Sequence, residues 1–441
     1  MLSRKYSAYY HTMPDGTVKQ TNPFSGSEVW SIPGRSGKPV TNGVPAHAKK
    51  IDHAVHDPSC IFCQPQYTRI APEKSRLVKV NTRHEILYYL LPDQIEEQQA
   101  EFRRIGNMFE IVTMEYWKKN YKYSVMRSVE QWRDSYMKHP VGLQHIRSIA
   151  MYKLQQSGMT EEQAENILWN GGKQVLDGFF GGCHDLILGR RHFAEGAEYD
   201  TQLCSSGELT AEEHFHYFKF TIDAMRDMLE MNPYIRYISV FQNWLKPAGA
   251  SVDHLHKQIC ALDEWGATVT GKVEMVLKDP NIFNELGANL ASQHNLVFAQ
   301  NDHALAFVGI GHRFPTIEIH SKSAASRPYQ HTPEELRGFS DLVHACHAAM
   351  GAQRSCNEEW FYTPIDAVYK IPWHIELKWR VNVQAGFEGG TGIYINPVLP
   401  TDFRTTIVTR LQELQSAGKL GNVTLVEGCT NDPNPLQYYL K

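Results

Sequence analysis

The chain lacks the features that mark several specialised protein classes. It has no apolar run long enough to span a bilayer, which argues against a membrane-spanning helix. Excess positive charge is also missing. With 44 Lys and Arg against 48 Asp and Glu, the formal net charge is -4, so no global basic field points to nucleic acid. Cysteine is sparse: eight, at positions 60, 63, 183, 204, 260, 346, 356 and 429, which is not a disulfide framework. Met1 to Tyr6 is basic but no apolar segment follows it, so a secretory signal is not expected. The simplest compartment is the cytoplasm, with thiols reduced. The remaining composition, 42% hydrophobic and 21% charged, suits a globular protein of two or three domains.

Against this background one stretch stands out: His254-Leu255-His256-Lys257-Gln258. Two imidazoles and a carboxamide recur at every second residue. In an extended segment such residues share one face. The alternating run from Tyr234 to Phe241 leads into it and reads as a core strand. Elsewhere the pattern predicts short strands around 18–20 and 28–32, an extended region over 77–91, and a charged helix from 93 to about 104. Residues 111–180 read as almost wholly helical. His184 to Leu188 is a short buried-type strand. Thr160, Thr210 and Thr332 are followed three residues later by Gln163, Glu213 and Glu335, the signature of capped helices. Pro333 sits at a first helical position, and a last helix covers roughly 401–417. Strands, a capped helix and a polar strand recur in both halves. His374-Ile375-Glu376 echoes His254-Leu255-His256, which suggests a diverged duplication.

Each chemical motif carries two readings. Cys60-Ile61-Phe62-Cys63 could clamp a zinc ion if two further ligands join it, with His192 and His254 as candidates. A redox dithiol competes, but no thioredoxin-like strand–motif–helix context surrounds the pair; an incidental pair of buried cysteines is the equal alternative. His256 could attack phosphorus through a ring nitrogen, with Gln258 donating to a phosphoryl oxygen. The alternative is a structural His-x-His pair. Lys118, Lys119, Lys122 and Arg127 interleave with aromatics in 116–136. That pattern could touch RNA, but it more often marks an amphipathic helix with a solvated face.

Taken in order, these segments resemble the galactose-1-phosphate uridylyltransferase family, the transferase branch of the histidine-triad superfamily. The resemblance rests on Asn22-Pro23-Phe24-Ser25-Gly26 through Arg35, on the 60–63 cysteine pair, and on Arg104 to Phe109. It continues with Gly182-Cys183-His184 through His192, with Phe241 to Gln258, with Trp373 to Glu376, and with Ala385-Gly386-Phe387-Glu388. It implies a structural zinc on Cys60, Cys63, His192 and His254, a nucleophile at His256, and phosphate contacts from Gln258 and Ser251. Arg35, Asn107, Asn243 and Glu388 would position the nucleotide or sugar phosphate. The family's A-G-F-E loop, matched here by residues 385–388, often reaches the active site across a dimer. Glutamine at 258 points to transfer rather than hydrolysis. Leu255 stands where the family has proline, Lys257 and Asp253 are departures, and the family's second metal site is matched by His374 alone.

The expectation is therefore an α+β fold of two histidine-triad-like halves with antiparallel sheets. Residues 1–265 would carry the zinc and catalytic motif with a helical insertion at about 111–180, and residues 266–441 the second half. The expected activity is nucleotidyl transfer from a nucleotide sugar or dinucleotide to a phosphate acceptor through a nucleotidyl-histidine. A homodimer is expected, and neither nucleic acid nor a membrane as partner. The rival activities are a nucleotide-sugar phosphorylase and a non-catalytic nucleotide- or RNA-binding protein.

Overall fold

Alternating apolar residues ask for strands with one face on a core, and the computed structural model joins most of them into a single sheet. It describes residues 6–35, 48–51, 56–170, 173–381, 384–426 and 432–440; Cys429 lies outside these. A small sheet contains β1 (Tyr10–Thr12), β2 (Val18–Thr21) and β3 (Glu28–Ser31). The large one contains β4 (Glu73–Val80), β5 (Arg83–Tyr88), β6 (Phe102–Gly106), β7 (His184–Gly189), β8 (Tyr237–Trp244) and β9 (His256–Leu262) from the first half of the chain. The second half supplies β10 (Val297–Gln300), β11 (Ala304–Val308), β12 (Thr316–Ser321), β13 (Cys356–Phe361), β14 (His374–Trp379) and β16 (Thr424–Leu425); β15 (Ile393–Asn396) joins the small sheet.

The large sheet runs β5-β4-β6-β7-β9-β8-β13-β14-β12-β11-β10-β16, with every neighbour antiparallel. The order reads outward from the β8–β13 seam in the same way on both sides. The two halves thus share one sheet. The one parallel pair among the described residues, β3 with β15, is in the small sheet. That sheet ties the N-terminal strands to the second half: Asn22 Nδ2 donates to Ile310 O at 2.9 Å, and Gln20 Oε1 accepts from Gly311 N at 3.1 Å. Gly311 has φ +70°, and a Cβ there would lie 2.1 Å from Asn22 N, so this approach requires glycine.

The helices are α1 (Pro92–Glu97), α2 (Met114–Tyr121), α3 (Arg127–Lys138), α4 (Pro140–Gln156), α5 (Glu161–Asn170) and α6 (Lys173–Gly181). They continue with α7 (Ala211–Met231), α8 (Ala267–Lys278), α9 (Leu290–Gln293), α10 (Pro333–Met350), α11 (Gly386–Thr391) and α12 (Pro400–Ser416). All three predicted caps form. Thr160, Thr210 and Thr332 accept at Oγ1 from the backbone N–H three residues on, at 3.3, 3.1 and 3.2 Å. No helix among the described residues is long and apolar enough to cross a membrane.

The predicted charged helix over 93–104 stops at Glu97, and Phe102–Gly106 is a strand. The reason is electrostatic. Arg103 and Arg104 are buried, not solvated: Arg104 Nε meets Asp185 Oδ2 at 2.7 Å, its Nη1 meets Asp227 Oδ2 at 2.7 Å, and Arg103 lies near Glu73. The helices of 114–181 bury several of their aromatics, while Tyr116 and Tyr152 stay exposed. Trp117 and Tyr136 are fully enclosed, and Trp132 Nε1 donates to Leu90 O at 3.1 Å. Lys118 and Lys119 are paired with Asp177 and Glu115, which fits an amphipathic helix.

One face of the large sheet carries α7 and α10, linked by His214 Nδ1 and Ser340 Oγ at 2.8 Å. The other face is polar. Gln258, Phe241, Glu359, Glu376 and Glu318 pair successively across β9, β8, β13, β14 and β12, so their side chains share this face.

Candidate active site

The period-two reading of β9 holds in three dimensions. His256 and Gln258 point to the polar face, while Lys257 between them points into the core and pairs with Glu358 of β13. Both members of that pair are fully buried, and His347 Nε2 adds a contact to Glu358 Oε2 at 2.8 Å. Burial alone would raise the Glu358 carboxyl, but Lys257 and His347 hold it below the ordinary range.

His254 precedes the strand and turns to a different cluster. Cys60, Cys63, His192 and His254 are all buried, with ligand atoms within 4.8 Å of one another. The edges are 3.6 Å (Cys60 Sγ to His254 Nδ1), 3.7 Å (Cys63 Sγ to His254 Nδ1), 3.8 Å (Cys63 Sγ to His192 Nδ1) and 3.2 Å (between the two Nδ1 atoms). A tetrahedron built on ordinary zinc–sulfur and zinc–nitrogen bonds has edges of about 3.3–3.8 Å. His254 Nε2–H donates to Gly189 O at 2.8 Å, which leaves its Nδ1 lone pair facing the cluster. The hydrogen bond between the two thiols holds Cys60 well below an ordinary thiol and pushes Cys63 above one. A divalent cation would replace that shared proton. The set is thus chemically and geometrically suited to a metal ion.

His256 Nδ1–H donates to His254 O at 2.8 Å, which puts the lone pair on Nε2. Burial keeps this imidazole below the usual histidine range, with the His254 carbonyl bond opposing. Beside it, His184 on β7 fixes the carboxamide of Gln258. Ile111 N–H donates to His184 Nδ1 at 3.1 Å, so the ring carries its proton on Nε2. That Nε2–H meets Gln258 Oε1 at 3.0 Å, and Asn107 Nδ2 approaches the same oxygen at 3.5 Å. With its oxygen occupied from behind, Gln258 presents its NH₂ as donor. Burial keeps His184 neutral, as this arrangement needs. His184 stands inside one of the motifs of the sequence, but its partner became visible only with the β7–β9 register.

The structure brings Asn107 and Gln258 together. Asn243 lies two residues beyond Phe241, which pairs with Gln258, and so faces the same side as His256. Ser251 is exposed on the loop between β8 and β9. Arg35 and Glu388 are elsewhere in the chain. They line a cavity of 1540 Å³ over the second half, whose walls include Trp30, Phe361, Glu376 and Lys378 but not Asn107, Ser251, His256 or Gln258. Glu388 Oε2 there accepts from Ala385 N at 2.9 Å, at the start of α11.

The second half repeats the backbone geometry of His256, in a register that differs from the sequence comparison by two residues. Phe241 pairs with Gln258 and Glu359 with Glu376, so Glu376 stands at the position of Gln258, and His374 at that of His256 rather than His254. His374 Nδ1–H donates to Pro372 O at 2.8 Å, just as His256 does to His254 O. There the likeness ends. Lys272 Nζ donates to His374 Nε2 at 2.7 Å and to Glu376 Oε1 at 3.0 Å. The lone pair that is available on His256 is occupied on His374.

A family model described as a domain of unknown function, DUF4921, matches residues 13–438. The chain belongs to this family. This DUF4921 chain is 29% identical over 244 residues to ADP-glucose phosphorylase of Arabidopsis thaliana, covering 53% of this chain and 65% of that protein. It is 26% identical over 208 residues to galactose-1-phosphate uridylyltransferase of Thermotoga maritima, covering 41% and 62%. It thus spans just under two thirds of these curated relatives. Among solved structures it is similar to the Arabidopsis thaliana ADP-glucose phosphorylase with bound ADP-glucose, with a TM-score of 0.55, 17% identity, and 89% and 98% of the two chains covered. A galactose-1-phosphate uridylyltransferase-like protein of the same plant gives 0.53, 16%, 89% and 98%. The fold of this DUF4921 chain is the one these proteins share.

Proposed function

We propose that the protein is a nucleotidyltransferase that uses His256 as nucleophile on a nucleotide sugar. The observation that carries this is the geometry of His256: Nδ1–H is held by a carbonyl, which leaves the lone pair on Nε2, and Gln258 on the same face of the strand presents a donor amide. In the first step the Nε2 lone pair attacks the α-phosphorus, and the P–O bond to the sugar phosphate breaks, releasing sugar 1-phosphate. Gln258 NH₂ would donate to a non-bridging oxygen as charge builds on it. In the second step an acceptor phosphate oxygen attacks the same phosphorus and the P–N bond breaks. Asn107, Asn243 and Ser251 would hold the nucleotide.

Zinc is the metal that best fits the Cys60, Cys63, His192 and His254 set. It would fix the start of β9 and supply no chemistry to the phosphorus. Arg35 and Glu388 would serve the His256 site of a partner subunit, since within one chain they line the other cavity. We assign residues 1–265 and 266–441 to two histidine-triad-like halves and place the reaction in the cytoplasm; the described cysteines are all unpaired and buried.

Phosphorolysis is the second reading, favoured by the ADP-glucose phosphorylase relative. An acceptor panel separates them. Enzyme loaded from ADP-glucose or UDP-glucose is challenged with inorganic phosphate and with hexose 1-phosphates. Nucleoside diphosphate from phosphate alone marks a phosphorylase, and a new nucleotide sugar marks a transferase. A His256→Ala protein that retains either turnover would sink both; no turnover by the unaltered protein, with nucleotide binding intact in His256→Ala, would leave the non-catalytic binding reading.

A further inference from the structure

The second half of the chain reaches the His256 site through Arg380. Arg380 follows β14, and its Nη1 donates to Asn357 Oδ1 at 2.7 Å. Asn357 Nδ2 then donates to Asn243 Oδ1 at 2.7 Å, across the β8–β13 seam, and to Ala248 O at 2.8 Å. The two asparagines face each other in the strand register. Arg380 also stacks over Phe314, with its guanidinium carbon 4.5 Å from the ring centroid.

The direction of this chain of bonds is forced. A guanidinium has no acceptor, so Asn357 must turn its oxygen toward Arg380. Its NH₂ then faces the seam, where Ala248 O also demands a donor. Asn243 must in turn offer its oxygen to Asn357. The remaining end of Asn243, its NH₂, is left toward the loop that carries Gly249 and Ser251; a Cβ at Gly249 would lie 3.9 Å from Asn243 Nδ2. Without Arg380 only Ala248 O would oppose rotation of Asn357, and a rotated Asn357 would let Asn243 turn its oxygen toward the site. An oxygen there would repel an anionic phosphate where an N–H attracts it.

We infer that Arg380 and Asn357 are positioning residues of the second half that hold Asn243 as a hydrogen-bond donor to the bound nucleotide. The arrangement parallels the one at Gln258, where His184, itself oriented by Ile111 N–H, occupies the amide oxygen from the first half. Both amides are thereby presented donor-first, one controlled from each half. This explains why a second half whose own histidine is engaged by Lys272 would remain necessary for the chemistry of the first. The inference rests on the nucleotidyl-transfer reading of the site.

The test exploits the difference between donor-only and two-way side chains. Arg380→Lys keeps a cation that can only donate. Arg380→Gln offers both oxygen and nitrogen and cannot dictate the direction. Asn357→Asp accepts from Arg380 but cannot donate to Asn243 or Ala248. Each full-length protein is mixed with α-phosphate-labelled ADP-glucose or UDP-glucose in single turnover, and label is normalised to the sites that can be loaded. Arg380→Gln and Asn357→Asp are expected to weaken the half-saturating concentration by about tenfold, the scale of one oriented hydrogen bond, while Arg380→Lys stays within about twofold. A purely structural role would lower melting temperature and loadable sites without this Lys–Gln separation. Equal behaviour of Arg380→Lys and Arg380→Gln, or an unchanged Asn357→Asp, overturns the inference. If the unaltered protein takes no label, the transfer reading fails. The relay is then read from equilibrium binding of AMP and UMP, with the same order expected and the same equalities fatal to it.

Discussion

At the residue scale, the chemistry depends on which end of each polar group faces the site. His256 and His374 share a backbone-anchored Nδ1–H and differ in what meets Nε2. The His-x-His-x-Gln pattern was legible because strand periodicity alone puts His256 and Gln258 on one face. His184, Asn357 and Arg380 were not, because their partners lie on strands whose pairing the local pattern does not encode. A different residue sets a pH dependence. Glu110 is buried with Oε1 unpartnered, and burial raises its carboxyl to about 7, with Lys153 partly opposing. The native state therefore holds this proton more tightly than the unfolded chain. The cost of ionising it is absent below the unfolded value, near 4.5, grows as pH rises toward 7, and is complete above that. It amounts to about 3 kcal/mol. Glu110→Gln is expected to stabilise the protein at pH 8 and to have little effect at pH 4.5, by urea denaturation. An equal gain at both pH values would contradict this.

At the element scale, β8, β9 and β13 bear the load. Lys257 departs from the family motif, and periodicity assigns it to the opposite face from His256, but the sequence does not show its partner on β13. It points into the core, and its ion pair with Glu358 joins the two halves beside His256. Glu358→Ala leaves a buried ammonium without its counter-ion and is expected to cost roughly 3–5 kcal/mol. The double change Lys257→Met with Glu358→Leu removes both charges and should recover most of that loss. A double variant as unstable as the single one would show that the ion pair is not the source. The start of β9 depends on the cysteine–histidine cluster in the same way. Metal analysis should find about one zinc per chain, lost in Cys63→Ser together with a lower melting temperature. Metal-free protein with Cys60 and Cys63 open to thiol reagents would refute the metal assignment.

At the scale of the whole molecule, the duplication was readable from the repeated Thr-x-x-Glu caps and the two polar strands. Its register was not, since it takes the pairing of Phe241 with Gln258 and of Glu359 with Glu376 to align His374 with His256. The location of Arg35 and Glu388 likewise follows from β3 pairing with β15, a contact between the two ends of the chain. If these residues complete a partner's site, mixing His256→Ala with Glu388→Ala subunits should restore roughly a quarter of the activity, because one of the two sites in each mixed dimer is intact. No recovery after confirmed subunit exchange would place the loop's role within its own chain. The central claim, that one reactive imidazole per chain carries the nucleotide, has a direct measurement. Protein incubated with α-phosphate-labelled ADP-glucose or UDP-glucose is quenched, and the label is located by mass spectrometry. The prediction is acid-labile nucleotide on His256 at about one per chain, with none on His374. Label on His374, or no covalent nucleotide on His256 under turnover conditions, would contradict it.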